Sequence, residues 1–200
     1  MAFKVRPSNL IVFDGQSLNL VPDLTLCFPV KMMATGITGT AWYNRGISAT
    51  TWRERTADVA GRADALLSTV SGIKTLIDTA GTKNINQGMA AVDIFAEASA
   101  YWTARRAAGF DNIIACTVSP ATDFAGAELT VLSDYNQLLR NAVGVELEAV
   151  ADLDTIPEMN DAADAAGAVY FDGGGVHYTD AGTTLVAPVV RTAYLTVVPE

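Results

Sequence analysis

Cysteine is nearly absent. Cys27 and Cys116 are the only two, too far apart for a CxxC pairing and too few for a disulfide framework, so they read as reduced thiols in a core. Cations are scarce as well: 13 Lys plus Arg stand against 22 Asp plus Glu, for a formal charge of −9, and the densest basic stretch is the pair Arg105-Arg106. Nucleic-acid binding draws its affinity from clustered cations that release counterions, so this balance excludes a phosphate-tracking surface. The chain nowhere reaches the ~18–20 consecutive apolar residues of a membrane span. Its first residues, Met1-Ala2-Phe3-Lys4-Val5-Arg6-Pro7, carry no apolar segment with a small-residue cleavage site. A soluble protein without a signal peptide, not inserted in a membrane, is the expectation. Histidine occurs once, and one histidine with two distant cysteines cannot make an ordinary zinc site.

What is present is a foldable chain. Half of its residues are apolar and 18% are charged, far from the composition of disordered segments, and 200 residues suit one domain spanning 1–200. Asn9-Leu10-Ile11-Val12-Phe13 is a short apolar run stopped by Asp14-Gly15, the pattern of a strand buried on both faces. Similar runs at 73–79, 112–118 and 168–171 predict further strands. Between them, Val92, Phe95, Ala96, Ser99 and Trp102 recur at helical spacing up to a stop at Gly109. Tyr135, Leu138, Leu139, Ala142 and Val143 do the same behind Ser133 as an N-cap, and a last helix is predicted from Thr179 with Pro188 inside it. The Asp- and Ala-rich stretch 152–166 reads as an irregular excursion. Strands separated by helices of this length pair in parallel through right-handed crossovers. The fold class is therefore α/β, a three-layer α/β/α domain with a central parallel sheet and its site at the carboxyl ends of the strands.

Residues just beyond each apolar run are thus the candidates. Phe13-Asp14-Gly15-Gln16-Ser17-Leu18 puts a serine after the first strand, behind a glycine that permits a sharp turn; such a serine serves either as a helix N-cap or as an acyl-transfer nucleophile. The stretch Phe171-Asp172-Gly173-Gly174-Gly175-Val176-His177-Tyr178-Thr179 carries the only histidine, on a glycine-rich loop with a carboxylate nearby. A serine hydroxyl needs a base to take its proton, and in this chain a histidine base must be His177.

Four blocks in this order, Gly-Gln-Ser after the first strand, Asn44-Arg45-Gly46-Ile47-Ser48-Ala49-Thr50-Thr51, Gly81-Thr82-Lys83-Asn84, and Asp172 ahead of Val176-His177-Tyr178-Thr179, resemble the SGNH (GDSL-type) hydrolases over most of the chain, from Ile11 to about Val190. The resemblance implies a flavodoxin-like α/β esterase without metal or cofactor, and Gly-Gln-Ser in place of Gly-Asp-Ser is similar to the carbohydrate-esterase branch. It assigns Ser17 as nucleophile and first oxyanion-hole N–H. Ala49 falls where the family has a glycine whose N–H is the second donor, a role that survives if the turn does not demand a positive φ. In the third block the family reads Gly-x-Asn-Asp. Either Asn84 supplies the third donor from a turn one residue longer, the expectation preferred here, or Lys83, which falls on the donor position without a gap, supplies a cationic one. The family's Asp-x-x-His spacing is replaced by five residues, so Asp172 reaches His177 only if the three glycines bulge.

The function implied is hydrolysis of a short acyl ester, an acetyl group on a carbohydrate or another small ester, through a Ser17-His177-Asp172 acyl-enzyme mechanism. Trp42, Tyr43 and Trp52 flank the second block and are candidates either for stacking on a sugar or for the core. Two alternatives stand: a carbohydrate-binding or phage-tail structural module with impaired catalysis, and a lipase or thioesterase on the same site. A cytoplasmic or virion-associated protein fits these readings.

Overall fold

The computed structural model describes residues 8–15, 27–58 and 62–198. Its first strand, β1 (Asn9–Gly15), is buried from Leu10 onward. Helix α1 (Phe28–Met33) follows, then β2 (Thr40–Asn44), α2 (Trp52–Asp58), a 3-10 turn at Asp64–Thr69 and β3 (Lys74–Thr79). The remainder runs α3 (Thr82–Asn86), α4 (Ala91–Ala108), β4 (Asn112–Cys116), α5 (Ala127–Asn141), β5 (Ala149–Ala151), α6 (Ala162–Ala166) and α7 (Asp180–Val197). The five strands form one sheet in the order β2-β1-β3-β4-β5, and every pairing is parallel.

The strands read as unbroken apolar runs because both faces are covered. Leu10, Val12, Leu76, Ile113 and Ala115 point to one side, under Trp52 of α2, Ile94 and Trp102 of α4, and Leu132 and Leu139 of α5. Ile11, Phe13, Ile77, Ile114 and Cys116 point to the other, against Phe28 and Met32 of α1 and Val186 and Val190 of α7. Each fully buried side chain of this kind contributes roughly 1.5–3 kcal/mol relative to exposure, so a one-residue register slip in a central strand is strongly disfavoured. Cys27 and Cys116 are buried thiols. Among the described residues no helix is long and apolar enough to cross a membrane.

The three-layer α/β/α expectation holds, with local corrections. The run 168–171 is not a strand of the sheet. Ala168 sits at φ +52, which breaks an extended run, and Phe171 makes only an isolated antiparallel bridge to Tyr178. The sheet instead ends on β5, three residues long and too short to show a period. The half-buried edge strand β2 is also absent from the apolar-run reading. Ser133 lies inside α5, whose N-cap is Gly126. The last helix starts as expected, with Thr179 Oγ1 accepting the Gly182 N–H and Pro188 inside. Gly109 closes α4 in the left-handed conformation.

Candidate active site

β1 and β3 run side by side to the same edge, where Asp14 pairs with Asp78 and Gly15 with Thr79. Ser17 and Gln16 follow directly; both lie outside the described residues. The second block continues the parallel pairing beyond β2: the Arg45 N–H donates to Phe13 O at 2.7 Å and the Ile47 N–H to Gly15 O at 2.8 Å. This holds the 44–51 loop against the exit of β1. Thr51 and Glu54 then form a reciprocal cap on α2, with the Thr51 N–H donating to Glu54 Oε2 at 2.7 Å and the Glu54 N–H to Thr51 Oγ1 at 3.3 Å. The helix therefore opens at Trp52. Within the loop, Ala49 has φ +56. The turn is left-handed here and the alanine itself adopts it, so the backbone N–H keeps the place it would have on glycine, at a steric cost that glycine would not carry.

The histidine loop lies between Phe171 and Tyr178, the two residues of the isolated bridge, just ahead of α7. Its ends are joined by the Asp172 N–H donating to His177 O at 2.7 Å, and the Gly175 N–H turns back to Asp172 O at 2.8 Å. Of the three glycines, only Gly175 has a positive φ, +63. A Cβ there would lie 2.1 Å from Thr122 Cγ2 and 2.9 Å from Ala165 O. The loop is tied to the residues after β4 by the Thr122 hydroxyl donating to Gly174 O at 2.7 Å and by a buried Ser119–Tyr178 hydroxyl pair at 2.8 Å.

This bulge closes the five-residue spacing: His177 Nδ1 lies 3.2 Å from Asp172 Oδ2. Asp172 Oδ1 accepts the N–H groups of Val176 and His177, each at 3.3 Å. Burial pushes the Asp172 carboxyl up, but these two amides and the imidazole outweigh it and hold it below its ordinary value. An ionised carboxylate only accepts, so the imidazole Nδ1–H is the donor of this pair. Both side chains are half exposed. The pair is thus an imidazole oriented by a carboxylate, on a loop tied to the residues that follow β4.

The third block departs from the preferred expectation. Gly81 adopts φ +134 in a place where a Cβ would come within 2.8 Å of both Tyr135 and Val118, so α3 can start there only on glycine. Asn84 is fully buried. Its Nδ2 lies 3.2 Å from Met89 Sδ and 3.3 Å from Glu97 Oε2, and its Oδ1 accepts the Trp52 N–H at 3.4 Å. The Asn84 amide therefore ties α3 to α2 and α4 and is not offered to a substrate oxyanion. Lys83, one residue earlier in the first turn of α3, is the half-buried neighbour on the ungapped donor position, and its charge acts on Glu54 beside the second block.

Of the aromatic candidates, Trp52 is a core residue, packed against Tyr101 and Trp102. Trp42 packs edge-on against Phe13, and the Arg45 guanidinium lies 5.7 Å from the centre of the Tyr43 ring. Four charged residues beneath the strand exits escaped the sequence reading: Asp14, Arg55, Arg62 and Asp78. The available signal was a carboxylate ending each of two apolar strands, Ile11-Val12-Phe13-Asp14 and Leu76-Ile77-Asp78.

No protein-family model matches the chain and no curated protein does. Solved structures do. A member of the lipolytic protein G-D-S-L family from Veillonella parvula superimposes with a TM-score of 0.74 at 19% identity, over 94% of this chain and 98% of that one. An acetylxylan esterase from Geobacillus stearothermophilus, solved as a catalytic mutant, gives 0.70 at 13% over 96% of both chains. A carbohydrate acetylesterase family member from Sinorhizobium meliloti gives 0.71 at 12%, over 94% of this chain and 98% of that one. At such identities a likeness speaks for architecture. The chain has the flavodoxin-like, three-layer α/β fold shared by the G-D-S-L lipolytic proteins and the carbohydrate acetylesterases.

Proposed function

We propose that this protein is a serine esterase that removes short acyl groups, acetyl above all, from a carbohydrate or other small ester. The observation that carries the reading is the 3.2 Å pairing of His177 Nδ1 with an ionised Asp172 on a loop tied to the residues that follow β4. In this reading Ser17 Oγ attacks the ester carbonyl while His177 Nε2 takes its proton. The same nitrogen then returns the proton to the leaving alkoxide, and a water, deprotonated in the same way, releases the acid. Asp172 holds the ring and stabilises the imidazolium. The N–H groups of Ser17 and Ala49 stabilise the tetrahedral oxyanion, and with the Asn84 amide engaged elsewhere the third donor is the Lys83 ammonium. Short acyl esters are favoured by the similarity of Gly15-Gln16-Ser17 to carbohydrate esterases, and the fold likeness to acetylesterases supports the same class.

The experiment is hydrolysis of p-nitrophenyl acetate with covalent labelling by a fluorophosphonate. Turnover and labelling that vanish in Ser17→Ala, with kcat lowered about 10³–10⁴-fold in His177→Ala and about 10²–10⁴-fold in Asp172→Asn, support the enzyme. Lys83→Met is expected to lower kcat about 10²-fold. A second reading, a glycan-binding module that keeps the fold without the chemistry, is favoured by the occupied Asn84 amide; absent turnover and labelling with retained glycan binding would establish it instead.

A further inference from the structure

Asp14 and Asp78 are register partners on neighbouring parallel strands, and their side chains point to the same face of the sheet, toward α2 and α4. Both carboxylates are buried, 0% and 1% exposed. Two like charges so placed repel unless a cation joins them. Arg55, itself fully buried, does so: its Nη1 lies 2.9 Å from Asp78 Oδ1 and its Nη2 3.4 Å from Asp14 Oδ2. The guanidinium lies over both the Trp52 and the Tyr101 rings, 4.6 and 4.8 Å from their centres. Trp102 Nε1 donates to Asp78 Oδ2 at 2.9 Å, and the Tyr101 hydroxyl donates to Asp14. Arg62 completes the set, pairing with Asp14 and donating to the Arg45 carbonyl at 3.1 Å.

A buried ion network is a weak device for stability, since well-packed apolar side chains of equal volume often do as well or better. What it supplies is direction: each contact has one geometry. Its members stand where that matters. Asp14 is three residues before Ser17, Arg55 is four residues after Thr51, Arg62 grips the backbone of the second block, and Asp78 is five residues before Lys83.

We infer that Asp14, Arg55, Asp78 and Arg62 are positioning residues, a buried ion network that keeps the three turns bearing the oxyanion donors in register with one another. The inference rests on the esterase reading above. In this reading the network takes no part in the chemistry itself. It acts by holding the exits of β1 and β3 and the 44–51 loop, and a displacement of about 1 Å at a reacting centre can cost about 10²-fold in rate.

Arg55 and the two aspartates are poor first choices for mutation, because removing one leaves an uncompensated buried charge and threatens folding. Arg62 is at the edge of the network, with its side chain 12% exposed. In Arg62→Met, assayed well below its melting temperature, kcat for p-nitrophenyl acetate is expected to fall about 10–100-fold with KM within about threefold, and fluorophosphonate labelling to slow by the same factor. Arg62→Lys, which keeps the charge but not the fork, is expected to recover part of the loss. Tyr101→Phe, which removes a single hydroxyl, is expected to shift kcat in the same direction by less. A lowered melting temperature with kcat unchanged in Arg62→Met overturns the positioning role and leaves the esterase standing. A wild-type protein that neither turns over ester nor takes the label overturns both.

Discussion

Replacing Ala49 by glycine is expected to stabilise the protein, and the size of the effect follows from its backbone. Ala49 has φ +56, in the left-handed region, where a Cβ crowds the following carbonyl at a cost of about 1–2 kcal/mol. The residue is exposed, so removing its methyl group takes little apolar surface out of the core. Against the gain stands the greater freedom of glycine in the unfolded chain, about 0.5–1 kcal/mol. The balance is about 0.5–1 kcal/mol in favour of Ala49→Gly, which for a chain of this length raises Tm by about 1–4 °C. Ala49→Val, β-branched at the same φ, is expected to move Tm the opposite way by at least as much. Paired thermal and urea melts of the three proteins decide the matter. A glycine variant that melts below the wild type, or a valine variant that matches it, refutes the claim that the second block requires a left-handed residue at position 49.

The histidine loop makes an equally sharp distinction between adjacent glycines. In Gly175→Ala the new methyl meets Thr122 and the Ala165 carbonyl at a φ of +63, and a loss of about 2 kcal/mol or more is expected together with loss of ester turnover. Gly173→Ala, with no atom within 4 Å of the added carbon, is expected to stay within about 0.5 kcal/mol of wild type; equal melting curves for the two variants would contradict the bulge. A third expectation concerns pH. Burial pushes Asp78 up to about 6 although Arg55 and Trp102 pull it down, so between an ordinary 3.8 and about 6 the folded state keeps a proton that the unfolded chain releases. Its contribution to stability is therefore present below that ordinary value and lost as pH rises through about 6. Urea melts of wild type and Asp78→Asn from pH 7 to pH 4 should show the difference shifting toward the wild type as pH falls, while Asp152 and Asp172, held low in both proteins, cancel. A difference that does not change with pH would sink this account.

Much of the architecture was legible in the chain because it depends on local properties. The apolar runs that became β1, β3 and β4, the stop at Gly109 that closes α4, and the cap at Thr179 are each set by neighbours within a few residues, whereas the spacing of Val92, Phe95, Ala96 and Ser99 marked a helix but not its buried face, which is built on Ala91, Ile94, Ala98 and Tyr101. Where several residues must cooperate through space, the reading failed. The run 168–171 has the composition of a strand, yet Ala168 turns left-handed and Phe171 pairs with Tyr178, while three residues at 149–151 take the sheet edge.

The site divides along the same line. Position just beyond an apolar run and the need of a serine for a base brought Ser17 and His177 forward as candidates, and the resemblance to the SGNH hydrolases added Ala49 and the role of Asp172. Tertiary structure decided that three glycines bulge enough for Asp172 to reach the imidazole, that Asn84 spends its amide on Glu97 and Met89, and that Asp14 and Asp78 share one buried arginine. These are questions of distance between residues remote in sequence. A list of residues carries composition and spacing, but which carboxylate meets which cation is settled only when the strands have paired and the helices have closed over them.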